Sequence, residues 1–355
     1  MGVNATFWSG RRVLLTGHTG FKGGWLSIWL QSLGAEVYGI ALTPESEPCL
    51  WSVAGLAGRV DGSITDLRDQ QALSARVLAF APEVVFHLAA QPLVRASYLD
   101  PVETYATNVM GTVNLLDALR RCASVRAIVV VTTDKCYENQ EWHWPYRETD
   151  RLGGFDPYSN SKACAELVCA SFRDAFFKPA GVALATARAG NVIGGGDWGR
   201  ERLIPDVLRA WDAEAELTLR YPDATRPWQH VLDPLCGYLM LAEHLLTAKP
   251  DEVTGWNFGP DNSGVASVAD VVARMAAYWP DGGASWRAAT DSQPHEAGLL
   301  ALDSSRARQI LGWQARWTLE VALEQTLAWH QAWRNGHDIH ALCLQQIALH
   351  QGESI

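Results

Sequence analysis

Arg12-Val13-Leu14-Leu15-Thr16-Gly17-His18-Thr19-Gly20-Phe21-Lys22-Gly23 decides the fold. Arg12 to Thr16 reads as a buried strand. The glycine-rich turn behind it opens an apolar helix from about Gly23 to Leu33, which Gly34 closes. In that setting the glycines let a pyrophosphate approach backbone amides at the positive end of a helix. The spacing is Gly-x-x-Gly-x-x-Gly rather than Gly-x-Gly-x-x-Gly, and a plain tight turn would carry the same glycines, so the surrounding pattern has to discriminate.

Outward from this turn, strand-like runs recur at Glu36 to Leu42, Val84 to Leu88, Ala127 to Thr132 and Val182 to Arg188. Helical patterns fill Val102 to Arg121 and Pro157 to Phe177. Such alternation implies an α/β fold built on a doubly wound, Rossmann-type parallel sheet with right-handed crossovers. After Asn191 the chain turns to loops rich in Gly, Pro, Trp and Arg, with helical pieces at Pro205 to Ala213, Pro234 to Leu246, Val268 to Tyr278, Ser304 to Leu311 and Leu319 to Trp333. The expected organisation is a nucleotide-binding domain over residues 11–190, to which some later segments return. A smaller mixed substrate lobe follows over 191–340, and then a peripheral tail over 341–355.

The 355 residues, 48% hydrophobic and 19% charged, can bury a large core. A net charge of -10 argues against a nucleic-acid partner, whose footprint would be a basic face. Seven scattered cysteines without Cys-x-x-Cys spacing disfavour a disulfide framework and a zinc site, so no metal is expected and a reducing cytoplasm fits. No apolar run approaches the roughly 18 residues of a membrane span, no signal peptide is expected before the first strand, and no membrane partner follows. Met1-Gly2 with Thr6 matches the short myristoylation pattern, which arises often by chance.

Tyr158 and Lys162 stand four residues apart on one predicted helix, hence on one face, where an ammonium beside the phenol would lower the tyrosine pKa. A surface pair is the bland alternative. Thr133-Asp134-Lys135 after the preceding strand adds a hydroxyl, an acid and a possible base, more chemistry than a simple dehydrogenase needs. With His87-Leu88-Ala89-Ala90-Gln91 after another strand, the glycine turn reads as a dinucleotide site formed by Gly17, His18, Thr19, Gly20, Phe21, Lys22 and Gly23, with Leu88, Ala89, Ala90 and Gln91 opposite. Strand two ends at Thr43 without the expected acid, but no Arg or Lys stands in 36–58 to welcome a 2′-phosphate, which favours NAD over NADP. Asp66 and Leu67 are candidates for the adenine end, although Asp66 can equally be a helix cap.

These motifs, together with Arg188-Ala189-Gly190-Asn191-Val192-Ile193-Gly194-Gly195-Gly196-Asp197-Trp198 and Arg226-Pro227-Trp228-Gln229-His230-Val231, resemble the extended short-chain dehydrogenase/reductase family and, within it, the nucleotide-sugar 4,6-dehydratases. The resemblance spans residues 11 to 333. It implies NAD as cofactor, CDP-glucose as substrate, and an internal redox reaction that makes a 4-keto-6-deoxy sugar for deoxysugar and lipopolysaccharide synthesis. It also implies a homodimer formed through the helices Val102 to Arg121 and Pro157 to Phe177. An acidic residue is expected near Thr43 from the family, and this chain departs from that.

Carried onto these positions, Tyr158 takes the 4-hydroxyl proton, Lys162 lowers its pKa and bonds the nicotinamide ribose, and Thr133 orients the hydroxyl. Asp134 is the acid that expels water. Lys135, a glutamate base in thymidine-linked relatives, is either base or electrostatic stabiliser. Asn191, Arg202, Leu203 and Arg226 are placed on the diphosphate and nucleotide, and Trp228 or Tyr221 on the base. His230 and His295 are carried as either substrate contacts or structural residues. A 4-epimerase or simple dehydrogenase would use Tyr158 and Lys162 without an acid at Asp134. A non-catalytic NAD-binding protein would often lack one of the pair.

Overall fold

The computed structural model describes residues 2–248, 254–261, 264–280, 285–290 and 298–352. The strands in chain order are β1 (Arg12–Thr16), β2 (Glu36–Ala41), β3 (Asp61–Ile64), β4 (Val84–His87), β5 (Ala127–Val131), β6 (Ala183–Arg188), β7 (Val192–Ile193), β8 (Leu217–Leu219), β9 (Thr225–Pro227), β10 (Gln229–His230), β11 (Gly255–Asn257), β12 (Val265–Ser267) and β13 (Trp286–Ala288). A seven-stranded sheet runs in the order β11-β6-β5-β4-β1-β2-β3. All its pairings are parallel.

Both faces of this sheet are covered, which explains the unbroken apolar runs. Along β1, Val13 and Leu15 enter one core while Leu14 enters the other, and along β5 Val129 and Val131 oppose Ile128 and Val130. The first face packs on helices Phe21–Ser32, Leu232–Leu245 and Ile339–Gln351. The second packs on Gln70–Phe80, Gly111–Leu119 and Pro157–Phe172. Strand order reverses between β1 and β4, the switch point outside whose carboxyl ends ligands bind in such sheets.

The remaining lobe has its own core, where Val207 and Trp211 of helix Leu203–Asp212 meet Val271 and Met275 of Val268–Tyr278 and Leu323 and Leu327 of Leu319–Arg334. Short pairs β7/β10, β9/β12 and β8/β13 brace it.

The helix expected over Val102 to Arg121 is one unbroken helical run from Pro101 to Leu119, with a wider turn inside it at Ala106–Met110. Two expectations change. The last segment is no peripheral tail: Ile339, Cys343 and Ile347 are buried in the main core, because the helix lays an apolar stripe on Phe21–Ser32. β3 and the helix Gln70–Phe80, capped by Asp69 accepting from the Ala72 amide at 3.0 Å, complete the sheet edge where the residue pattern announced neither.

Candidate active site

At the carboxyl ends of β1, β4 and β5 lies a cleft of about 840 Å³. Gly17 holds φ of +78°, and a Cβ there would stand 2.7 Å from the Ala89 nitrogen. A Cβ on Gly23 would stand 2.0 Å from the Gly17 oxygen. Only glycine fits these approaches. Helix Phe21–Ser32 begins at Gly20 with no side-chain cap, so its first amides face the cleft at the positive helix end. The Thr19 hydroxyl donates to the Leu42 carbonyl at 2.9 Å and pins the turn to the end of β2. This bare backbone cradle fits a dinucleotide pyrophosphate. Thr43, Glu45 and Ser46 line the same wall, with Asp66 and Leu67 beyond them. Asp66 accepts from the Arg68 amide at 2.8 Å and its Nε at 3.0 Å, which holds its carboxyl below the usual range.

Thr133 caps the short turn Asp134–Cys136, accepting from the Lys135 amide at 3.3 Å and donating to Asp134 Oδ1 at 2.9 Å. Asp134 is buried; its Oδ2 has no hydrogen-bond partner among the described residues and lies against Gly190. The facing helix Pro157–Phe172 starts cleanly because Asp156 accepts from the Ser159 amide at 2.9 Å and proline stands in its first turn. That helix presents Tyr158 and Lys162 to the cleft, and Asp134 and Lys135 line it opposite.

Burial pushes the Tyr158 phenol up to about 12; the Thr133 hydroxyl lowers it, Asp134 raises it and Arg202 lowers it again. Burial also brings Lys162 down to about 8, while its Nζ donates to the Val131 carbonyl at 3.2 Å. Both groups are desolvated, Lys162 turns to the end of β5, and Arg202 supplies the cationic pull on Tyr158.

Lys22 reaches further than the phosphate turn. Burial lowers it to about 8, the charges of Arg202 and Lys162 add to that and those of Asp134 and Asp197 oppose it, and Lys22 lines the cleft together with all four. From the smaller lobe come Asn191, Arg202, Leu203, Tyr221, Arg226 and Trp228. Asn191 sits at φ of 47° with its Nδ2 buried and without a hydrogen-bond partner among the described residues. One Arg202 nitrogen donates to both Asp197 oxygens, at 3.1 and 3.0 Å. Arg226 donates to the carbonyls of Thr225 at 2.9 Å and Gly298 at 3.1 Å, and Trp228 donates to that of Ala266 at 3.0 Å.

Three candidate side chains do not reach the cleft. His18 is buried beneath the turn against Gly39 and the Trp51 ring, 4.8 Å away, and its imidazole is held near a pKa of 4 by burial. Gln91 spends its amide on the Leu93 carbonyl at 3.1 Å and Thr104 at 2.9 Å. His230 is fully buried between the rings of Trp25 and Trp317, 6.2 and 4.5 Å away. In each case packing captured a polar residue that its motif had suggested for the site. His295 lies outside the described residues. Reading by motif had given no role to Asp197, which holds Arg202, or to Glu45 and Ser46; an acid a few residues from an arginine was the available signal for the first. Among the described residues no group of three metal-ligating side chains gathers, and no helix is long and apolar enough to cross a membrane.

The family described as GDP-mannose 4,6 dehydratase matches residues 14–326, and the chain belongs to it, within the extended short-chain dehydrogenase/reductases. It is 49% identical over 342 residues to the CDP-glucose 4,6-dehydratase of Salmonella typhimurium, covering 95% of each chain. Identity to the UDP-glucose 4-epimerase of Halalkalibacterium halodurans is 26%, over 92% of this chain and 97% of that one. Among solved structures, a UDP-glucose 4-epimerase from Stenotrophomonas maltophila with bound NAD superposes with a TM-score of 0.77 at 24% identity, covering 92% of this chain and 99% of that one, a likeness of fold.

Proposed function

We propose that this chain converts CDP-glucose to CDP-4-keto-6-deoxyglucose and water with NAD as cofactor. The observation that carries the reading is the meeting of Asp134 and Lys135 with Tyr158 and Lys162 in one cleft, supported by the 49% identity to a CDP-glucose 4,6-dehydratase. Bound in the glycine cradle, NAD would supply a reversible two-electron acceptor. Tyr158 accepts the 4-hydroxyl proton while the Thr133 hydroxyl orients that oxygen and Lys162 steadies the phenolate charge. With carbon 4 a ketone, the carbon 5 proton is acidic. It leaves toward Lys135, or toward a water that Lys135 positions while stabilising the enolate, and Asp134 delivers a proton to the departing 6-hydroxyl, so that one water is lost; the two electrons the cofactor would hold would then return to carbon 6 and a proton to carbon 5, giving the 4-keto-6-deoxy sugar. Lys22, Asn191, Arg202 and Arg226 would face the anionic parts of the ligands. A 4-epimerase would leave Asp134 without work.

Incubating the protein with CDP-glucose and catalytic NAD, and separately with UDP-, dTDP- and GDP-linked hexoses, tests this. Loss of one water from CDP-glucose without accumulation of reduced cofactor is expected. Unchanged mass with altered stereochemistry would replace the reading by epimerisation.

The same proposal includes a homodimer. Leu99, Val102, Met110 and Leu167 are exposed on the helices beside the active site, and Leu99 and Val102 are 88% and 78% accessible. It also includes a cytoplasmic setting, supported by seven free cysteines, and supply of a deoxysugar precursor of the kind used in lipopolysaccharide.

A further inference from the structure

The loop that carries Thr133, Asp134 and Lys135 is anchored at both ends by one buried ion pair. Arg188 donates to Glu166 through Nε at 2.8 Å and through Nη2 at 2.9 Å, and both side chains are 4% exposed. At the start of the loop the Thr132 hydroxyl donates to Glu166 Oε1 at 2.5 Å. At its end Arg188 Nη1 donates to the Tyr137 hydroxyl at 2.6 Å, and that hydroxyl donates onward to Asn257 Oδ1 at 2.7 Å. Thr186 completes the carboxylate by donating to Oε2 at 2.5 Å. Each Glu166 oxygen thus receives a guanidinium proton and a hydroxyl proton. Glu166 lies one helical turn beyond Lys162 and two beyond Tyr158 on the same helix, so the network ties the acid-bearing loop directly to the helix that holds the sugar hydroxyl.

A pair this deep gains little stability over well-packed apolar residues, because both charges lose their hydration. What a fully satisfied network does give is a single geometry. We propose that Glu166 and Arg188 are positioning residues which fix the span Thr132 to Tyr137 in register with Tyr158, so that the Asp134 acid meets carbon 6 of a sugar whose carbon 4 is held at Tyr158. The proposal rests on the dehydratase reading above. It makes elimination of water more sensitive than oxidation at carbon 4, since Asp134 and Lys135 both ride on the loop, whereas Tyr158 and Lys162 ride on the helix and only the Thr133 hydroxyl joins the first step from the loop.

Removing either charge would leave its partner buried and alone, so the test uses single hydroxyl deletions at the two anchors, Thr132→Val and Tyr137→Phe. Thermal melting establishes that each variant is folded. Single-turnover mixing with CDP-glucose then follows reduced-cofactor absorbance and product mass separately. Each folded variant is expected to oxidise carbon 4 within about threefold of the unmodified protein and to lose water about 10- to 100-fold more slowly, so that reduced cofactor accumulates transiently. Thr132→Ser should restore the balance. Equal slowing of both steps, or no change in either, in a folded variant would overturn the positioning role. Failure of the unmodified protein to release water from CDP-glucose would instead overturn the dehydratase reading itself.

Discussion

Gly190 makes room for the Asp134 carboxylate: a Cβ at residue 190 would stand 1.8 Å from Asp134 Oδ2. Gly190→Ala must push that carboxylate aside. Water loss is expected to slow by about 100-fold, the cost of roughly 1 Å of misplacement at a reacting centre, with oxidation at carbon 4 affected less. Single-turnover kinetics read the two steps, and an alanine variant that eliminates water at the normal rate would remove Asp134 from the role of acid.

Lys162 carries its charge in a dehydrated place, with a pKa lowered from 10.5 to about 8 mainly by burial. Between those two values the unfolded chain binds more protons than the folded one, so this group makes stability rise with pH across the window and exerts its full cost below it. Lys162→Met is therefore expected to raise the Tm at pH 7, by an amount that shrinks as pH approaches the unfolded value. The same variant should lower turnover by about 100-fold or more. In the unmodified protein kcat should fall above about pH 8 as the ammonium is lost. Melting curves and pH-rate profiles measured together check this, and a Tm at pH 7 that drops in the methionine variant would contradict it.

Arg202 lines the cleft, pairs with Asp197 at 3.0 Å and lowers the Tyr158 pKa. Arg202→Ala is expected to raise KM for CDP-glucose by about 10- to 100-fold, with a smaller fall in kcat, because a guanidinium on a diphosphate stabilises ground and transition states alike. Arg202→Lys should recover only part of the loss. Steady-state kinetics decide, and an unchanged KM would place the nucleotide elsewhere.

Leu99 and Val102, exposed beside the catalytic helix, define the proposed dimer face. The double variant Leu99→Glu/Val102→Glu should keep its Tm within a few degrees and elute as a monomer where the unmodified chain elutes as a dimer. Light scattering after gel filtration gives the mass directly. If both proteins have the same mass, that face is not the interface.

The legible part of the site was the part built from neighbours in sequence. The glycine turn, the Thr133-Asp134-Lys135 run, and Tyr158 with Lys162 each occupy one or two turns of backbone, and all line the cleft. Less legible were β3, whose run Asp61-Gly62-Ser63-Ile64 has no strand-like alternation and is a strand because β2 pairs with it, and the last helix, whose burial comes from Phe21–Ser32. His230 shows the limit most clearly, since nothing in Trp228-Gln229-His230 reveals that Trp25 and Trp317 enclose its ring.

By itself, the sequence determined most strands of the parallel sheet, several of the helices that flank them, the bare cradle after β1 and which side chains are candidates for the chemistry, because backbone periodicity, glycine spacing and side-chain chemistry are local properties. Tertiary structure alone decided which groups converge: Asp134 against Gly190, Lys162 on the Val131 carbonyl, and Glu166 with Arg188 beneath both ends of the loop. Those contacts join segments distant along the chain, and their geometry follows from sheet register and from the desolvation of every group the cleft encloses.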